Sequence, residues 1–257
     1  MTDHSSVDPL PTLHLICNAH IDPVWLWSWE EGLAETLATF RVAARFCERK
    51  EGFVFCHNEA LLYQWVETYE PSLFKRIARL VGDGRWRIIG GWYLQPDYNL
   101  PSGEGLVRQI LHGKNYFRKR FGVEPQTAAN FDPFGHSRGL VQILRKSGYH
   151  SYLFCRPGLP HLDVPDDFTW IGFDGSEIIA HRSLEHYNSE RGRAADKLLK
   201  WLDQHREDGG GIFLWGIGNH GGGPSEEDLR NIDELRFTIY DLDVRHSWPE
   251  RYFEEKT

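Results

Sequence analysis

No stretch of this chain is basic enough to track a phosphate backbone, and no apolar run approaches the ~20 residues that cross a bilayer. With a formal net charge of −8 over 257 residues, the chain is repelled by nucleic acid and by anionic lipid, so neither is expected as a partner. Cysteine is scarce and scattered. Cys17, Cys47, Cys56 and Cys155 form no Cys-x-x-Cys pair, and Cys17 and Cys155 sit in apolar runs that suit reduced, buried thiols. The opening residues, MTDHSSVDPLPT, lack the basic and apolar regions of a signal peptide. A cytoplasmic protein is expected. Internal repeats, low-complexity tracts and a clear linker are also missing, so residues 1–12 are read as an extension and 13–257 as one domain.

Aromatic residues, by contrast, are plentiful: 14% of the chain, with 10 tryptophans. Rigid apolar ring faces beyond the needs of a core often mark sites for flat ligands such as sugars. Three of the indoles, Trp25, Trp27 and Trp29, stand within CNAHIDPVWLWSWEEG, directly after a His-x-Asp-Pro.

Short apolar runs alternate with helical periods along the chain. LHLIC (13–17), FVFC (53–56), RWRIIGG (85–91), TAANFD (127–132), YLFC (152–155), DFTWIGF (167–173), EIIAHR (177–182) and GIFLWGIG (211–218) read as strands. Asp174-Gly175 predicts a hairpin between two of them. Helices are predicted over about 29–49, on both sides of Pro71, from 103 to Gly122, over 139–146, and over 193–205. A last one opens at a Ser225/Asp228 capping box and continues through Leu229, Ile232, Leu235 and Ile239. Strands alternating with helices of this length imply βαβ units and a parallel sheet. About seven strands in one domain predict an irregular or incomplete α/β barrel, with a doubly wound sheet as the alternative.

Unusual polar groups follow four of these strands: HID after the first, GGWYLQPD after the third, NFDPFGH after the fourth and GNHGGGP after the last. Loops at strand C-termini of parallel α/β folds converge on one face, where ligands bind. His20 and Asp22 are two residues apart, so in extended backbone they point the same way, and Pro23 keeps Asp22 out of the helical region. Asp132-Pro133 repeats the device. One histidine and two such aspartates predict a divalent-metal site, and a His/Asp mixture suits zinc, although another divalent metal is an option. The plainer alternatives are a strand-end surface pair for His20 and Asp22 and a helix N-cap for Asp132. In GNHGGGP three glycines after His220 allow close backbone approach and positive φ, the plainer alternative being a flexible strand-to-helix turn, and the stretch lacks the Gly-Lys-Ser/Thr ending of a phosphate loop.

Taken together and in order, AHIDPVWLW, GGWYLQPDYNLPSGEGLVRQ, NFDPFGHSRGLVQIL and LWGIGNHGGGPSEEDL resemble the N-terminal catalytic domain of glycoside hydrolase family 38, the zinc-dependent α-mannosidases, and the wording is similar to the bacterial branch. The likeness runs from about residue 13 to about 235. It implies a (β/α)7 barrel, parallel strands with helices outside. It implies zinc ligation by His20, Asp22 and Asp132, with Asp132 also the nucleophile of a retaining mechanism, and Trp25 as the floor under the mannose ring. Trp92 and Asp97 are expected to contact substrate. His220 stands where the eukaryotic secretory branch has the second of two aspartates, and it is the candidate acid/base, with Asp97 the other option. The family's further zinc-binding histidine and its later domains lie beyond the segment that resembles this chain, so the chain is expected to be a shortened form. Its partner is expected to be an α-mannoside or a mannose-containing oligosaccharide; no expectation attaches to its oligomeric state. Two competing expectations are a metal-dependent carbohydrate deacetylase, which also sets His and Asp at strand ends, and a non-catalytic sugar-binding fragment.

Overall fold

The computed structural model describes residues 10–158, 161–205, 209–218 and 222–256. The elements run β1 (Thr12–Asn18), α1 (Trp29–Arg49), β2 (Phe55–Glu59), α2 (Ala60–Tyr69), α3 (Pro71–Gly82), β3 (Trp86–Trp92), α4 (Gly103–Phe121), β4 (Thr127–Asn130) and α5 (Leu140–Lys146). They continue with β5 (Ser151–Phe154), β6 (Asp167–Ile171), β7 (Glu177–Arg182), α6 (Ala194–His205), β8 (Gly211–Trp215), α7 (Glu226–Arg236), β9 (Asp243–His246) and α8 (Pro249–Lys256). Local chemistry sets several boundaries. Ser102 Oγ accepts from Gly105 N–H to open α4, whose last turn is basic and whose end is turned by Gly122 in the left-handed region at φ 69°. Pro71 occupies the first turn of α3, where a missing N–H costs nothing. The Ser225/Asp228 pair caps α7 as expected, with Asp228 N–H donating to Ser225 Oγ at 3.0 Å.

Strands β8, β1, β2 and β3 run parallel in one sheet, and β4, β5 and β7 run parallel in a second. The hairpin at Asp174-Gly175 adds β6 antiparallel to β7, with Ile171 opposite Glu177. One edge of β1 is shared: β9 pairs with Thr12–Leu15 and β2 with Cys17 and Asn18. The sheets meet where Trp92 Nε1 and Asn58 Nδ2 both donate to Ala129 O. With β9 also parallel to β1, eight parallel strands in two sheets give the α/β architecture expected, and no closed barrel forms among the described residues.

Alternation along the strands, which has a period of two, builds the interior. Ile16, Ile89, Ala129, Leu153, Ile212 and Leu214 face one another between the sheets, while Leu15, Cys17, Phe213 and Trp215 face outward under the helices. All four cysteines are free and buried. Helix α8 closes the N-terminal end of this interior with Tyr252 and Phe253, and Thr127 N–H, at the start of β4, donates to its Glu250. Neither α8 nor β9 was legible in the sequence, and α7 stops at Arg236, short of Ile239. The opposite, C-terminal ends of the strands carry the polar loops. No helix among the described residues is long and apolar enough to cross a membrane.

Candidate active site

Beyond Asn18, where β1 ends, Ile21 is wholly buried, while His20 and Asp22 bring their side chains together. His20 Nε2 is buried without a hydrogen-bond partner and faces Asp22 Oδ1 at 3.4 Å. Burial alone pushes the imidazole pKa down, but the carboxyls of Asp22, Glu59 and Asp132 outweigh it and raise the pKa. The loop is closed by Trp27 Nε1, which donates to Asp22 O at 3.1 Å. Trp25 is 54% exposed beside this pair, its ring 5.4 Å from that of Trp27.

Gln95, in the loop after β3, ties four strand ends together. Its Oε1 accepts from Phe131 N–H at 2.8 Å, which turns its Nε2 toward His20 Nδ1 at 3.1 Å and Asn58 Oδ1 at 3.3 Å. Its own N–H donates to Glu59 Oε1 at 3.2 Å. Glu59 is buried, and that burial raises its carboxyl pKa.

Asp132 follows β4, and Arg156, just past β5, brings its Nε to 3.0 Å from Asp132 Oδ1. The same Nε reaches His186 Nε2 at 3.3 Å in the loop after β7. Next to His186, Tyr187 lays its buried ring 5.0 Å from that of His20 and 6.0 Å from that of Phe131. Asp97 Oδ1 accepts from Asn99 N–H and Phe134 N–H, each at 3.4 Å, and so shapes the loop that carries Asp132.

Loops after β1, β3, β4, β5 and β7 thus converge on one face. His20 and Asp22 stand together there, and Asp132 is near enough for its charge to act on His20. Its carboxylate, however, is paired with Arg156, and no three His, Cys, Asp or Glu side chains among the described residues are gathered as a metal-holding group. The expectation for Trp92 is corrected. It is fully buried, with Nε1 on Ala129 O at 2.9 Å and its ring stacked on Tyr149, and has no surface to offer a substrate. His220 lies outside the described residues. Gln95, Arg156 and Tyr187 escaped the sequence reading. Only Gln95 carried a signal, through its place in GGWYLQPD.

The model of the glycosyl hydrolases family 38 N-terminal domain matches residues 11–257. The chain is 31% identical over 251 residues to alpha-mannosidase 2C1 of Homo sapiens, which covers 94% of this chain and 24% of that relative. The crystal structure of an alpha-mannosidase from Enterococcus faecalis V583 superposes with a TM-score of 0.81 at 18% identity, covering 95% of this chain and 29% of that one. A structure described as a polysaccharide deacetylase from Mycobacterium smegmatis superposes at 0.65 with 12% identity over 98% of this chain and 93% of that one, a likeness of fold alone. The chain therefore spans about a quarter of the length of the mannosidases it matches.

Proposed function

The chain belongs to the glycosyl hydrolases of family 38, whose N-terminal domain it matches over residues 11–257, and on that premise we propose that it carries the catalytic face of an α-mannosidase acting by a zinc-dependent retaining mechanism. The observation that supports the reading best is the meeting of His20, Asp22, Asp132 and Arg156 on one end of the parallel strands, with the exposed Trp25 beside them. Buried thiols on all four cysteines agree with a reducing compartment, and we place the protein in the cytoplasm on that ground.

The donor set fits zinc in kind. A buried imidazole nitrogen without a hydrogen bond, His20 Nε2, faces a carboxylate, and mixed nitrogen and oxygen donors suit that ion. His20, Asp22 and Asp132 would hold it, and once bound it supplies positive charge beside Asp132 and a Lewis acid for sugar hydroxyls. The remaining work falls to the chain itself. Asp132 attacks the anomeric carbon and forms a glycosyl ester, while a second group protonates the departing oxygen and then deprotonates the attacking water. His220 takes that acid/base role in this reading, with Asp97 the alternative. The Arg156 guanidinium orients the Asp132 carboxylate through its ion pair, and Trp25 offers an indole face to the sugar ring.

Zinc calorimetry on the apo chain, beside its Asp22→Asn variant, tests the metal site: one-to-one binding lost in the variant is expected. Turnover of an aryl α-mannoside by a full-length form is expected to vanish in Asp132→Asn, and normal turnover there would remove the nucleophile assignment. Release of acetate from an acetylated sugar without glycosidic cleavage would put a deacetylase in its place.

A further inference from the structure

Lys197, on α6, reaches under the loop that follows β7. Its ammonium donates to three backbone carbonyls: His186 O at 2.9 Å, Asn188 O at 3.0 Å and Leu214 O, in β8, at 2.7 Å. An ammonium has three N–H bonds, and here each has an acceptor. The carbonyl between the first two, Tyr187 O, accepts at 2.9 Å from Asn18 Nδ2, which also donates to Trp215 O at 3.2 Å. Three successive carbonyls, 186 to 188, are therefore held by side chains from two different elements.

The clamped loop is strained. His186 adopts φ 65°, the one non-glycine residue in the left-handed region among the described residues, and such a conformation persists where its surroundings over-determine it. This loop is also a wall of the site. His186 Nε2 meets Arg156, Arg156 meets Asp132, and Tyr187 packs on His20.

We propose that Lys197 is a positioning residue of the catalytic face: by pinning the carbonyls of His186 and Asn188 to β8, it fixes the side of the loop that steers Arg156 onto Asp132 and Tyr187 onto His20. Burial pushes the Lys197 pKa down to about 8, still above neutrality, so the three-donor form prevails at pH 7. The inference rests on reading the His20–Asp132 face as the catalytic site, but its clamp is testable without turnover.

The test is nuclear magnetic resonance of the histidine imidazoles in the apo chain, comparing wild type with Lys197→Met and with Lys200→Met, which changes an exposed lysine on the same helix. In Lys197→Met the His20 and His186 signals should move while those of His14, in the first half of β1, and His150, just before β5, stay in place. Lys200→Met should move none. A lowered melting temperature with His20 and His186 unmoved makes Lys197 a plain staple of the fold and overturns the proposal, as does an equal movement of all four histidines. Should Lys197→Met fail to fold, Lys197→Gln, which keeps two N–H donors, is read in the same way. In a form that turns over an aryl α-mannoside, Lys197→Met should lower kcat by up to about 10²-fold, the cost of misplacing reacting groups by an ångström, with KM little changed. If no wild-type form turns over an aryl α-mannoside, the mannosidase reading fails, and the histidine spectra alone decide for or against the clamp.

Discussion

Two tryptophans that look equally eligible in the sequence have opposite fates. Trp25 is 54% exposed beside His20 and Asp22, whereas Trp92 is wholly buried between Ala129 and Tyr149. Trp92→Ala should destabilise the chain by about 3–5 kcal/mol, the range for emptying a large aromatic from a core. Trp25→Ala should leave stability within about 0.5 kcal/mol and weaken binding of a mannoside instead. Urea denaturation paired with a sugar titration separates the two effects. Gln95 makes a third case, because its amide serves Phe131 N–H, Asn58 and His20 at once. Gln95→Ala leaves the Phe131 N–H without its acceptor, at about 1–3 kcal/mol, and frees the His20 ring. Zinc affinity, by calorimetry, should rise, because the Gln95 amide N–H donates to His20 Nδ1 and so holds the ring proton on Nε2, the nitrogen that would meet the ion. Unchanged affinity would deny Gln95 that role.

At the scale of elements, α1 does more than cover the sheet. A Cβ at Gly32, in its first turn, would stand 2.1 Å from Pro23 O, so the helix start and the loop carrying Asp22 are packed backbone to side-chain-free backbone. Gly32→Ala must push the two apart. It should lower the melting temperature and displace Asp22, so that zinc binding weakens in a protein that is still folded. Intact binding would show that the loop is held by other contacts. Helix α1 itself was legible, since its apolar positions recur at helical spacing. So were α4, with its Ser102 cap and Gly122 stop, and the β6–β7 hairpin, with its Asp174-Gly175 turn. Strand β9 was not: its residues, DVRH, alternate too briefly to signal a strand, and they become one only by lying along the free half of β1. Helix α8, PERYFEEK, hides its role for a similar reason. Its two aromatics look like surface residues until the open end of the interior claims them.

Over the whole molecule, burial keeps several histidines neutral. It pushes the pKa of His14 down to about 4 and that of His57 to about 3, while the unfolded chain takes up these protons near 6.5. The stability these groups leave intact is fully present above that pH. It is lost as the pH falls from about 6.5 toward 4, by up to about 1.4 kcal/mol per pH unit for each group. Glu250, whose carboxyl is raised to about 7 by burial, acts in the opposite sense, so the slope is best read as a difference. Between pH 6 and 4.5 the wild type should lose stability faster than His57→Leu by about 1.4 kcal/mol per pH unit, measured by urea denaturation at each pH. Parallel slopes would mean that His57 takes up its proton in the folded state.

The amino-acid sequence by itself determined the alternation of strands and helices, the parallel sheets and the placing of His20, Asp22 and Asp132 at strand ends, because these depend on local periodicity and on residues two apart in extended backbone. Four long motifs in order were also enough to name the family. Tertiary structure alone decided which indole faces solvent and which carboxylate Arg156 takes, since each follows from partners far away in the chain. It alone decided that Lys197 and Asn18 would grip one loop from two sides. Such side chains find their acceptors only after the strands have set the loops side by side, and no spacing along the chain announces a meeting of residues 18, 187 and 197.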